Sequence, residues 1–132
     1  MKNAWGMLKK IVARKNVDEE DLHQVGAIIS DTGKIFETYK DIVEKEVKKL
    51  KRFSGNKKTA EENLEEYRQK LFDLQHYLEI CFIADQFRLK AEIAEIAVRR
   101  KINPKDPKID ELISELKVDI KNSYSHNTSE NL

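Results

Sequence analysis

The fold of this chain is decided by TAEENLEEYRQKLFDLQHYLEICFIADQFRLKAEIAEIAVRRKI, residues 59–102, which contains neither Gly nor Pro. Apolar side chains recur through this stretch at helical spacing, so the pattern predicts one continuous helix. At a rise of about 1.5 Å per residue, the helix would be roughly 65 Å long. Average globular helices have only about 10–14 residues. The stretch therefore predicts an elongated, all-α protein with one long central helix.

The overall composition agrees with a helical domain and excludes one class of function. The 132 residues suffice for one domain with a core. Only 4 Gly and 2 Pro are present, which favours helix. Lys plus Arg total 25 against 24 for Asp plus Glu, giving a net charge of +1. This balance argues against a general polyanion binder, although a local basic patch stays open.

The cysteine content and the N-terminal sequence predict the compartment. Cys81 is the only cysteine, so no intrachain disulfide can form. The first residues are basic and amphipathic, without the apolar core of a signal peptide, and no segment is apolar enough to span a membrane. We therefore expect a cytoplasmic protein without a membrane span.

Breaks in the apolar pattern divide the chain into four predicted helices. They cover residues 3–15, about 18–52, about 59–102, and 107–124. Asn16 is the expected N-cap of the second helix, in a capping-box arrangement with Glu19. Asp106 is the expected N-cap of the last helix, followed by Pro107 at the first helical position. Capping residues and breaks thus agree on an antiparallel helical bundle.

The lengths of these helices predict how the bundle is organised. If the turn at residues 53–58 is tight, residue i of the second helix faces about residue 112 − i of the third. The short first and last helices then join one end of the long hairpin. The rest of that hairpin, about residues 36–77, would project as a coiled-coil-like arm. We expect residues 1–124 to form a single helical domain and residues 125–132 a disordered tail. Gly33 marks a candidate break in the second helix.

Two further patterns in the long helix predict where it is buried. Its first half carries a seam at 3-4 spacing, formed by Leu64, Tyr67, Leu71, Leu74 and Leu78. The following residues 80–84 are apolar on every face of a helix. Such a segment is predicted to be surrounded by at least three neighbouring helices.

A two-helix arm would leave apolar side chains exposed on its outer surface. The predicted exposed strip consists of Ile35, Ile42, Phe72 and Tyr77. Exposed apolar strips usually mark association sites. The strip therefore predicts a protein partner, and a second copy of the same chain is the expected one.

Two basic clusters provide an alternative mode of binding. The candidate nucleic-acid contacts are Lys48, Lys49, Lys51, Arg52, Lys57 and Lys58 near the hairpin turn, and Arg99, Arg100 and Lys101 near the end of the third helix. Lysine and arginine side chains of this kind bind phosphates. The first cluster lies close to Glu61, Glu62, Glu65 and Glu66, which would neutralise much of it. Both interpretations of the basic turn stay open.

The sequence offers little support for catalysis, a metal or a cofactor. Glu20-x-x-His23 and Asp73-x-x-His76 have the carboxylate-x-x-His spacing of di-iron helical bundles. The facing rule, however, places the two histidines about 20 Å apart along the bundle, too far for one centre. Cys81 lies in an all-apolar segment, which suits an inert thiol. We therefore predict no catalytic, cofactor or metal residues.

These features together predict a non-enzymatic helical bundle that acts by binding other macromolecules. It would serve as an assembly, adaptor or inhibitor module and would self-associate as a homo-oligomer. The alternative is a small helical subunit that contacts RNA or DNA through the two basic clusters.

Overall fold

The described residues of the chain form four α-helices. A computed structural model describes residues 2–54 and 64–130. The helices are α1 (Lys2–Ala13), α2 (Glu19–Ser54), α3 (Leu64–Ile102) and α4 (Lys108–Glu130). No strand occurs in the described residues. The predicted all-α bundle with a long central helix is confirmed. The expected turn at 55–58 and the start of the long helix at 59–63 lie outside the described residues.

The chain divides into two compact units. The terminal unit combines Met1–Asp31 with Phe87–Leu132, and the central unit is Thr32–Gln86. The terminal unit thus contains α1, the start of α2, the end of α3, and α4, the same segments that the sequence assigns to a four-helix body. The assignment of residues 1–124 to a single domain stays a prediction.

The core of the terminal unit is built from three helices. Its buried side chains are Leu8 and Ile11 of α1, Val25 and Ile28 of α2, and Phe87, Ala91, Ala94 and Val98 of α3. The α3 members recur every three or four residues, so they share one face of the helix. Three of them are small, which lets α1 and α2 approach α3 closely. The ring of Trp5 meets Phe87 edge-on, with 6.0 Å between the ring centroids.

Two arginines of α3 form ion pairs with α4 and with the residues before it, within the terminal unit. Arg88 lies 2.8 Å from Glu92 on its own helix and 3.2 Å from Asp119 on α4. Arg99 contacts Asp106, which lies two residues before the start of α4. Burial raises the pKa of Glu92, against the opposing effect of the Arg88 guanidinium. These interhelical pairs fix the position of α4 in addition to its buried Ile109.

The start of α2 is capped by a residue other than the one predicted. Asp18 and Asp21 form a reciprocal pair: the backbone N–H of Asp21 donates to the Asp18 carboxylate, and the N–H of Asp18 donates to the Asp21 carboxylate. This is a capping box shifted two residues from the one expected at Asn16. Asp21 is buried and also accepts a hydrogen bond from Arg14 at 2.8 Å. The ion pair to the end of α1 explains why Asp18 and Asp21 form the cap.

The last helix begins as predicted but extends further. The Asp106 carboxylate accepts the N–H of Lys108 at 3.0 Å, which confirms Asp106 as the N-cap. The helix continues to Glu130, so residues 125–130 of the expected tail are helical. Asn131 and Leu132 lie outside the described residues, and disorder of the tail stays a prediction. Within α2, the helix runs through Gly33 without a break.

The central unit pairs α2 and α3 in a register different from the predicted one. The ring of Tyr39 lies 6.2 Å from that of Tyr77, where the 112 − i rule places Asp73. The Cys81 thiol faces the Phe36 carbonyl oxygen at 4.0 Å, where the rule places residue 76. Both contacts are displaced by about one helical turn. The facing rule is therefore displaced by this amount, and the turn itself lies outside the described residues.

Two expectations for α3 in this unit are also corrected. Residues 80–84 are not surrounded: Cys81 and Ala84 are buried, but Phe82 and Ile83 are 55% and 51% exposed. The predicted seam is only half right. Tyr67 and Leu74 are half-buried, whereas the members at seven-residue intervals, Leu64, Leu71 and Leu78, are exposed. A two-helix contact covers one side of a helix, and this side includes one half of the apolar stripe.

Candidate interaction surface on α3

The exposed side of α3 in the central unit carries a row of large apolar side chains. Leu64, Leu71 and Leu78 follow one another at seven-residue spacing, and Phe82 comes four residues later. On an α-helix, these positions share one side. Phe72, at 66% exposure, and Ile83 lie beside this row. We call the six residues Leu64, Leu71, Phe72, Leu78, Phe82 and Ile83 the α3 face.

The α3 face contrasts with the exposed side of its partner helix. Thirteen positions of α3 between residues 64 and 86 are exposed, and six of these are large and apolar. Every exposed position of α2 between residues 32 and 52 is polar or charged. Among residues 32–52 and 64–86, the exposed large apolar side chains thus all lie on α3. A surface patch of this kind is typical of a binding site.

The structure distributes the four residues of the predicted apolar strip differently. Phe72 is fully part of the exposed surface, whereas Ile35 and Ile42 on α2 are half-buried. Tyr77 is half-buried because its ring packs against Tyr39 between the two helices. Only Phe72 therefore lies on the α3 face. The exposed leucines and Phe82 were missed because the sequence pattern placed them in the buried seam or core.

Two oppositely charged side chains border the α3 face. Arg68 and Glu79 are both exposed, and they lie eleven residues apart on α3. Neither forms an ion pair with another residue that the structure describes. The nearby Glu66 and Lys70 lie 3.9 Å apart within one turn of helix. Arg68 and Glu79 are thus available to a partner at the edge of the apolar row.

The basic cluster near the hairpin turn is described only in part. Lys48, Lys49, Lys51 and Arg52 are exposed at the end of α2. Lys49 lies 3.4 Å from Glu46 on the same helix. Lys57 and Lys58, together with Glu61 and Glu62, lie outside the described residues. Neutralisation of this cluster by the acidic start of α3 therefore stays a prediction.

The second basic cluster is mostly engaged within the fold. Arg99 contacts Glu95 at 3.2 Å and Asp106 at 3.0 Å. Lys101 donates to the backbone carbonyl oxygens of Val12 and Arg14, at 2.5 and 2.8 Å, and so satisfies the C-terminal end of α1. Arg100 is exposed. Arg99 and Lys101 thus also have structural roles, and phosphate binding by this cluster stays a prediction.

The Asp106 carboxyl has a lowered pKa. Its hydrogen bond from the Lys108 N–H and that from Arg99 both stabilise the ionised form. Because the pKa is lower in the folded state, Asp106 stabilises the fold above its ordinary pKa. This stabilisation is lost as the pH falls through the lowered value.

Asp106→Asn should accordingly reduce the loss of free energy of unfolding that occurs as the pH is lowered. Asparagine retains the N-cap but cannot ionise. Urea unfolding at pH values from about 7 to about 3 should give a free-energy difference from wild type that shrinks on acidification. Asp110→Asn, in the first turn of the same helix, controls for the loss of one negative charge. A difference for Asp106→Asn that stays constant with pH would contradict the proposed role of its ionisation.

The histidine and cysteine side chains considered for catalysis do not belong to any metal-binding cluster of the described residues. His23 and His76 are exposed, and no group of three His, Cys, Asp or Glu residues in the described ranges is placed to hold a metal ion. Burial raises the pKa of the Cys81 thiol, and the Asp85 carboxylate adds to this effect. The thiol form is thereby favoured over the reactive thiolate.

Comparisons with models of known protein families, with curated proteins and with solved structures found no match. None of the helices in residues 2–54 and 64–130 is both long and apolar enough to cross a membrane.

Proposed function

We propose that the protein is a non-enzymatic binding module that self-associates through the α3 face. The observation that supports this proposal is that the exposed large apolar side chains of residues 32–52 and 64–86 all lie on α3. Leu64 and Phe82 lie eighteen residues apart, so the face extends over about 27 Å of helix. Covering these side chains removes apolar surface from water, which favours association.

A second copy of the chain is the partner that best suits this face. Two α3 helices can pair antiparallel about a two-fold axis that passes between them at the level of Asp73. Leu64 then lies near the partner subunit's Phe82, and Arg68 lies near the partner subunit's Glu79. The symmetry repeats both contacts, as in an isologous dimer. The same two-fold rotation thus brings apolar side chains into contact and places opposite charges next to each other.

Light scattering of the purified protein tests the self-association. Wild type at micromolar concentration is expected to have twice the mass of one chain. Leu71→Glu should reduce the mass to that of one chain, because it would bury an unpaired carboxylate at the centre of the interface. Glutamate is a good helix former, so the helix itself should be retained.

Thr38→Glu is the matched control, since it introduces the same charge on the exposed side of α2 in the same unit. This variant should remain a dimer. A wild-type mass equal to one chain at all concentrations, or equal masses for Leu71→Glu and wild type, would refute the proposed interface.

A further inference from the structure

A second apolar surface lies within the terminal unit, between α1 and α3. The two helices line a groove of about 400 Å³. Trp5, Leu8 and Val12 form its α1 side, and Ile93, Ala94 and Ala97 form its α3 side. This volume falls in the range of about 300–1,000 Å³ that small-molecule sites occupy. The groove lies over the small side chains of Ala94 and Ala97.

The charged groups beside this groove all have the same sign. Lys9 of α1 and Lys90 of α3 line it, with their Nζ atoms 5.0 and 4.9 Å from the centroid of the Trp5 ring. No carboxylate is among the lining residues. Neither lysine forms an ion pair within the part of the chain that the structure describes. An apolar groove with two converging ammonium groups is complementary to a ligand with an apolar tail and an anionic head.

We propose that this groove binds a medium-chain fatty carboxylate, with the carboxylate held between Lys9 and Lys90. The acyl chain lies along Val12, Ile93 and Ala97. Trp5 and Val12 are separated by about 10 Å at the helical rise, a length that a medium acyl chain covers. This ligand binding is distinct from self-association, because none of these residues belongs to the α3 face.

Trp5 provides a direct signal for the test, because it is the only tryptophan in the chain. Titration with sodium dodecanoate below its micelle concentration should produce a saturable blue shift of the Trp5 emission. Affinity should increase about threefold for each added methylene from octanoate to dodecanoate, since each buried methylene contributes favourable transfer free energy. Ala97→Leu, which fills the groove, should abolish the shift.

Charge reversal separates the proposed site from general detergent binding. Dodecyltrimethylammonium has the same tail and a cationic head, and it should bind wild type at least about tenfold more weakly. The double variant Lys9→Glu/Lys90→Glu should reverse this preference. Both lysines are exposed, so the variant should fold, and circular dichroism checks this.

Two results would overturn the proposal. One is an equal response of wild type to the anionic and cationic amphiphiles. The other is a Trp5 shift with phosphatidylglycerol vesicles but none with monomeric dodecanoate, which would indicate adsorption of α1 to a membrane surface. Self-association is unaffected by either result, because it is measured separately through the α3 face.

Discussion

Replacing Ile11 by alanine is expected to lower the free energy of unfolding by about 3 kcal/mol, within the range measured for buried isoleucine. Ile11 is only 1% exposed and belongs to the core shared by α1, α2 and α3. The substitution removes three carbons from a site enclosed on several sides. Part of the resulting cavity cannot collapse, because the neighbouring side chains are themselves packed.

The prediction is large because α1 is anchored by only a few groups. Ile11 and Leu8 are its buried residues, while Lys101 holds its C-terminal carbonyl groups and Arg14 pairs with Asp21. The Arg14 side chain is 53% exposed, so solvent screens its pair with the buried Asp21, and the pair contributes at most about 1 kcal/mol. The attachment of α1 therefore depends mainly on the two apolar side chains.

Val12→Ala is the matched control for this substitution. Val12 neighbours Ile11 on α1 and is also β-branched, but it is 41% exposed. Its replacement should change the free energy of unfolding by no more than about 0.5 kcal/mol. Urea denaturation followed by circular dichroism measures both variants. An equal, small effect at both positions would mean that α1 is not part of the cooperatively folded core.

The helices and the cap at Asp106 could be predicted because local sequence determines them. The spacing of apolar residues predicts which segments are helical, and Asp106 followed by Pro107 predicts where α4 begins. Gly33 was an uncertain case, since its flexibility suggested a break that the structure does not have. Packing along the rest of the helix overrides the propensity of one residue.

Most of the positions that the sequence could not predict depend on contacts between distant segments. The exception is the cap at Asp18, which forms a local pair with Asp21, and Asp21 in turn pairs with Arg14. Lys101 is engaged by the end of α1, 89 residues away along the chain, and this contact has no local signature. The exposure of Leu71 and Leu78 has the same origin: the stripe is wide, and the α2–α3 register decides which part is covered. Of the four residues predicted for the apolar strip, only Phe72 therefore belongs to the α3 face.

Reversing the charge of Arg68 or of Glu79 alone is expected to weaken the proposed dimer, and reversing both charges together is expected to restore it. Arg68→Glu alone would place two carboxylates together at each of two symmetry-related contacts, and Glu79→Arg would do the same with two cations. Like charges at an interface are strongly unfavourable. Each single variant should weaken the dimer about 10- to 100-fold. The double variant should return to within about threefold of wild type.

The same three variants distinguish the antiparallel arrangement from its alternatives. Concentration-dependent mass by analytical ultracentrifugation gives the dissociation constants, and salt should partly rescue the single variants by screening.

In a parallel pairing, Arg68 would lie beside its own symmetry mate, so Arg68→Glu would exchange one like-charge contact for another. The single variants would then dimerise normally. Weakening by both single variants without recovery in the double variant would instead mean that Arg68 and Glu79 contact different groups. Recovery in the double variant is therefore the result that depends on antiparallel pairing near Asp73.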